Sequence, residues 1–481
     1  MHEQCGVIGV KRLDSSGNVL PETVRIAEGL QHRGELGAGM AWIQEGAMKI
    51  EKDNGLVCDV LSPDRLQGAH GASAIAHTRY ATSGSRDASL AQPFLHEDIA
   101  FAFNGNIANY ASVAAKLRAQ GVELRTNVDT ELIEHLLVQG IRLHTRENMQ
   151  AVFGHLENIL DGAYTIVLLE EDGTLHVYCD RHGFRKPCHA LIEDHLVAVA
   201  SEDAAIHDVW PDAATEEIGG GQLFTARGSA TQLVHVVPAE PSACFFEDTY
   251  FKRRKSRGVT EAREQWGEQL AAMEHLFLEG AVVVPIPDSA RIAARGFARA
   301  SGRRMVEGIE KVRQGRTFIE GHPVMREEKA QLKYDLHPEL LKGQKIILVD
   351  DSVVRGTTLT ALVDRLWKEG GVKEIHVRIA CPPVLAPCFY GMDFPEIRQL
   401  LARQNFNGTL QAGELPEEVL ATIAARLKVN SIRFLPVESV PQVLARRCHG
   451  LCMACVNGEY PTPAGRVLYE VEERKARSLM Q

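Results

Sequence analysis

Apolar and polar positions change places quickly through the first half of the chain. Gly6–Val10, Ala72–His77, Ile99–Phe103 and Tyr164–Leu169 each read as a short strand, set off by Gly, Asn or Asp. Asp172-Gly173 lies between two apolar runs and predicts a hairpin, because both positions tolerate positive φ. Helical spacing over roughly 22–31 and 129–139 falls between the strands. The pattern predicts antiparallel sheets covered by helices, an α+β half.

The second half has another rhythm. Ala281–Ile286 (AVVVPI) is continuously apolar, then comes Pro287-Asp288-Ser289 and a helical pattern from about 289 to 300. Lys345–Val349 (KIILV) repeats the plan, followed by a polar loop and the helical stripe Leu359, Leu362, Val363, Leu366; Glu374–Ala380 is the next strand. Strands without alternation, joined through helices, predict a parallel sheet buried on both faces, an α/β half. The pattern breaks at Val237-Pro238-Ala239-Glu240-Pro241, so the halves are expected to span 5–240 and 241–481.

At 481 residues, 45% of them hydrophobic and 24% charged, the chain can build a full core in both halves. A net charge of −10 argues against a general nucleic-acid binder, yet leaves room for a local basic pocket that takes a phosphate. No run is long enough to span a membrane, and Met1–Val10 lacks a basic segment followed by an apolar one; a cytoplasmic protein is expected. In a reducing compartment the ten cysteines read as thiols, ligands or a nucleophile rather than disulfides.

Cys5 stands just before an apolar strand. A cysteine made N-terminal by processing gains a free amine of pKa about 8 that can take its thiol proton. Gln31-His32-Arg33-Gly34, His77-Thr78-Arg79-Tyr80-Ala81-Thr82, Asn104-Gly105-Asn106 and Asp129-Thr130-Glu131 follow in order. They offer a guanidinium for a carboxylate, a carboxylate for an ammonium, and an Asn side chain with a Gly N–H for an oxyanion. These motifs resemble the glutaminase domain of N-terminal-nucleophile amidotransferases, an α/β/β/α sandwich. The resemblance implies Cys5 as nucleophile, Arg79 and Asp129 as the glutamine-binding pair, Asn104 and Gly105 as the oxyanion hole, and residues 1–4 as a propeptide.

In the second half, Ile346–Thr358 runs from a strand through Asp350-Asp351-Ser352 to Arg355-Gly356-Thr357-Thr358 at a helix start, a phosphate-site layout without a Walker loop. It resembles the phosphoribosyl pyrophosphate signature of type I phosphoribosyltransferases. Asp288 and Ser289 would form the pyrophosphate loop; Ser289, Asp350 and Asp351 would hold Mg²⁺; and Gly315–Ile319 matches the loop that closes over substrate.

Joined in this order, the halves resemble the glutamine phosphoribosylpyrophosphate amidotransferases. That family implies glutamine and phosphoribosyl pyrophosphate as substrates, 5-phosphoribosylamine as product, purine nucleotides as feedback inhibitors and a homo-oligomer. By spacing alone, Cys452-Met453-Ala454-Cys455 with Cys388 and Cys244 suits a tetrahedral zinc or a [4Fe–4S] cluster equally. The resemblance implies the [4Fe–4S] cluster on Cys244, Cys388, Cys452 and Cys455. The chain departs from the family's usual residues at Glu35, at Phe103, along Asp180–Pro187 and just before Gly315. A sugar-isomerase or ATP-pyrophosphatase partner half would need motifs the chain lacks, and a non-enzymatic regulator would have no use for Cys5.

Overall fold

The computed structural model describes residues 5–80, 87–276, 278–312, 334–445 and 449–478. The expected propeptide, Ala81-Thr82 and the Gly315–Ile319 loop fall outside them.

Two antiparallel sheets form the first half. The larger runs Thr215–Glu217, Cys188–Ile192, Leu196–Ala200, Gly6–Arg12, Ser73–Arg79, Gly37–Gln44, Ala47–Asn54. The smaller runs Ala230–His235, Gln222–Arg227, Leu175–Cys179, Gly162–Glu170, Ile99–Ile107, Phe94–His96. Alternate side chains explain the layering. Val7, Ile75, Ala102, Val167 and Val199 meet between the sheets. Ile8, Val10 and Ala76 turn the other way and pack with Ile26 and Ala27 of the helix Leu20–Gly29. Phe101, Phe103 and Ile166 do the same against the helices Asp129–His144 and Met149–Glu157. Strands buried on both faces thus carry apolar residues at successive positions even in antiparallel sheets. The expected hairpin is present: Gly173 has φ +79°, and Glu170 N–H donates to Thr174 O at 2.9 Å.

In the second half Val282–Pro285, Lys345–Asp350, Glu374–Ile379 and Ser431–Phe434 pair in parallel, in chain order. Helices Val259–Ala272 and Arg291–Ser301 cross at Gly267 and Gly296, where a side chain would collide with the backbone carbonyls of Ala293 and Glu264.

The halves are tied together. Ala243–Cys244, just past the expected boundary, pairs in parallel with Leu451–Cys452 near the C-terminus. Ala464 N–H, in the first turn of the helix Pro463–Ser478, donates to Asp161 at 2.9 Å. Phe184 stacks on Tyr390 with centroids 4.4 Å apart. Arg33 lies buried between Glu202 at 2.6 Å and Glu247 at 2.5 Å, one carboxylate from each half. Among the described residues no helix is long and apolar enough to cross a membrane.

Candidate active sites

Strand register puts Cys5 where it can be held. Gly6 pairs with Thr78, and its N–H donates to Thr78 Oγ1 at 3.1 Å. Cys5 therefore arrives opposite the end of the neighbouring strand, with its Sγ 3.5 Å from both Tyr80 N and Tyr80 O. Asp129 opens its helix and accepts a hydrogen bond from Ile107 N–H at 2.9 Å, which fastens the helix to the strand carrying Asn104 and Gly105. A cavity is lined by Cys5, Arg79, Gln92, Gly105, Asp129 and Thr130. Gly105 is required there, because a side chain would strike Ala163 O. Asn104 lines a second cavity, between the halves, with Arg33, Arg185, Cys244 and Glu247. The structure therefore gathers Cys5, Arg79, Gly105 and Asp129 in one cavity and Asn104 in its neighbour.

Burial pushes the Cys5 thiol up, opposed by the Tyr80 backbone and the guanidinium groups of Arg79 and Arg185. Burial also raises the Asp129 carboxyl to about 6, the Ile107 N–H partly offsetting it. Sequence reading missed Arg185. Its guanidinium donates to Tyr390 O and lies 3.3 Å from Glu247, so it bridges the halves beside the nucleophile. The signal was the unusual Asp180–Pro187 run, where Arg181 also pairs with buried Glu157 at 2.9 Å. Phe103 contributes through its backbone: its N–H donates to Gln92 Oε1 at 2.6 Å, and its carbonyl faces His77 Nε2 at 3.2 Å. Glu35 is exposed.

The second acidic loop follows the strand Lys345–Asp350. Asp351 is buried, and its carboxylate accepts from the hydroxyls of Ser289 and of Ser352, the latter at 2.6 Å. Asp350 accepts from Asp351 N–H at 2.9 Å. Gly356, at φ +78°, turns the chain into the helix Thr357–Lys368, so Thr357 and Thr358 form its first turn. Such an N-terminus presents free backbone N–H groups to an anion. Arg355 is half-buried beside this turn. Asp288 is exposed and faces Arg291 at 3.8 Å and Lys311 at 4.0 Å. The buried Arg263, which sequence reading did not single out, lies close enough to Asp351 to feel its charge.

Cys244 and Cys452 are register partners across the two-residue ladder. Burial pushes all four candidate thiols up; Cys388 and Cys452 further raise Cys244, and Cys455 feels the other three. Tyr390 N–H donates to Cys388 Sγ at 3.3 Å. Cys452 and Cys455 are buried and Cys244 and Cys388 half-buried, and the four lie close enough for Cys455 to feel the charge of the other three. Among the described residues no three His, Cys, Asp or Glu side chains form the tight group that a single metal ion needs.

Known proteins resemble the chain in both halves. A glutamine amidotransferase domain family matches residues 77–208, and a phosphoribosyl transferase domain family matches 267–382. The chloroplastic amidophosphoribosyltransferase of Vigna aconitifolia is 35% identical over 95% of this chain and 91% of its own length. That of Methanothermobacter thermautotrophicus is 33% identical over 99% and 98%. The solved glutamine phosphoribosylpyrophosphate amidotransferase from B. subtilis, complexed with ADP and GMP, superposes with a TM-score of 0.80 at 30% identity, covering 96% of this chain and all of that one. With its two sites on two such halves, the chain belongs to the amidophosphoribosyltransferase family.

Proposed function

We propose that this enzyme releases ammonia from glutamine at Cys5 and joins it to phosphoribosyl pyrophosphate at the Asp350–Thr358 loop, giving 5-phosphoribosylamine for purine synthesis. The observation that carries this reading is the cavity holding Cys5, Arg79 and Asp129 together. Arg79 pairs with the glutamine carboxylate and Asp129 with its ammonium. Removal of residues 1–4 frees the Cys5 amine, which takes the thiol proton; the thiolate attacks the amide carbon and ammonia departs. The oxyanion is received by Gly105 N–H, with the Asn104 amide as the second donor the family pattern assigns although its residue lines the neighbouring cavity, and water then hydrolyses the thioester to glutamate. The domains are 5–240 and 241–481.

In the second half, the turn Arg355-Gly356-Thr357-Thr358 takes the 5′-phosphate, and Asp288-Ser289 faces the pyrophosphate. The oxygen donors Ser289, Asp350 and Asp351 suit Mg²⁺, a hard cation, and the hydrogen bonds already joining them support that fit. Mg²⁺ would neutralise charge on the departing pyrophosphate. ADP and GMP in the B. subtilis relative support purine nucleotides as inhibitors. We further read the enzyme as a cytoplasmic homo-oligomer. The test is glutamate release by anaerobically purified protein, with and without phosphoribosyl pyrophosphate and Mg²⁺. Release that rises with the second substrate supports the reading; release indifferent to it counts against.

Asp129 gives this pocket a pH signature. Its carboxyl is raised to about 6, so the anion that holds the substrate ammonium is present above that pH and lost below it. KM for glutamine should climb about tenfold per pH unit below 6. A flat KM across that range would remove Asp129 from the binding site.

Cys244, Cys388, Cys452 and Cys455 are assigned to a [4Fe–4S] cluster that fastens the linker to the C-terminal tail. The support is that the four thiols lie close enough to feel one another's charge and that the Ala243–Cys244 and Leu451–Cys452 ladder sets two of them side by side. The expected result is brown protein with about four iron atoms per chain. Stoichiometric zinc without iron would sink the assignment.

A further inference from the structure

We infer that Lys52 is a positioning residue for glutamine, its ammonium holding closed the turn of chain that walls the Cys5 cavity. Lys52 lies on the strand Ala47–Asn54, opposite Gly39. Its Nζ donates to Ala91 O at 2.7 Å, to Pro93 O at 3.2 Å and to Ser89 O at 3.4 Å, and stands 4.5 Å from the centre of the Phe94 ring. An ammonium has three protons, and one turn supplies three carbonyl oxygens for them.

That turn controls the site on both sides. Leu90 and Gln92 line the cavity with Cys5. The Gln92 amide grips the Phe103 backbone twice, at 2.6 and 3.2 Å, one residue before Asn104. Asp87 O accepts from Arg79 Nη1 at 3.1 Å, so the same stretch sets the guanidinium proposed to meet the substrate carboxylate. Without a cation, three carbonyl dipoles, two of them on the buried residues Ala91 and Pro93, converge on one point and repel, and the turn relaxes away from both.

Lys52 is half-buried and faces His77 and Arg79 on the strand Ser73–Arg79 and Glu134, itself paired with His96 at 2.8 Å, on the helix Asp129–His144. Burial, then the nearby Arg79 charge, pulls the amine down to about 8, with Glu134 opposing. A lowered amine is charged below its pKa, so the clasp is present below about pH 8 and lost above it. An arginine there would stay charged.

The inference rests on the cavity being the glutamine site. Glutamine KM and kcat are measured from neutral to alkaline pH for wild type, Lys52→Met and Lys52→Arg, with ammonia-dependent pyrophosphate release as the fold control. Lys52→Met should raise KM roughly tenfold and lower kcat by less, with ammonia-dependent release nearly unchanged. Wild-type KM should climb above about pH 8 more steeply than that of Lys52→Arg; Cys5 and the substrate amine are common to both, so their titrations cancel. An unchanged KM in Lys52→Met, or coincident KM profiles for wild type and Lys52→Arg, overturns the inference. If Lys52→Met does not fold, the profile comparison decides alone. Failure of wild type to hydrolyse glutamine would overturn the site reading instead.

Discussion

Replacing Asp351 by Asn should cut pyrophosphate release by roughly 100-fold, with glutamine or ammonia as nitrogen source, while basal glutaminase activity stays within about twofold. The carboxylate is buried and accepts from two hydroxyls, of Ser289 and Ser352, on separate loops. An amide keeps the shape but loses the charge for Mg²⁺, and its NH₂ end cannot accept a hydroxyl proton. The two serines then lose their common anchor. Cys5 is held by Tyr80, and its cavity contains no residue of the acidic loop, so the first reaction is spared. Equal loss of both activities in a folded variant would argue against two separate sites.

Periodicity revealed the strands because their apolar runs are buried on both faces, as in Tyr164–Leu169 and Lys345–Val349. It could not reveal the layer order, since that requires knowing that Val7 and Ile8 face different cores. The helix predicted over 129–139 continues to His144 through Gly140, where Val152 packs close against it. Cys5, Arg79, Gly105 and Asp129, picked out by the order of motifs along the chain, meet in one cavity. Asn104 and Gly105 are adjacent in sequence yet line different cavities, an effect of strand geometry. Lys52 lies among polar neighbours in Lys49–Asn54 and reads as a solvated strand face. The fold brings the Ser89–Pro93 turn over it. Arg185 and Glu247 are far apart in sequence, and their contact exists only once the halves dock.

If the two reactions of this chain are joined only by ammonia, the Cys5→Ala variant separates them. Removing the thiol leaves nothing to attack the glutamine amide, so glutamine-dependent pyrophosphate release should fall on the order of 10⁴-fold or more. Arg79 and Asp129 remain, and glutamine should still bind. On the proposed reading the second half needs phosphoribosyl pyrophosphate, free NH₃, the acidic loop and Mg²⁺, and no thiol. Ammonium chloride at alkaline pH should therefore restore pyrophosphate release to within about twofold of wild type assayed in the same way, because the methyl group left in place of the thiol touches nothing in that reaction. The measurement is pyrophosphate release by Cys5→Ala with ammonium chloride as the only nitrogen source. Near wild-type release is the expected result; a folded variant that binds phosphoribosyl pyrophosphate yet releases none would contradict the account.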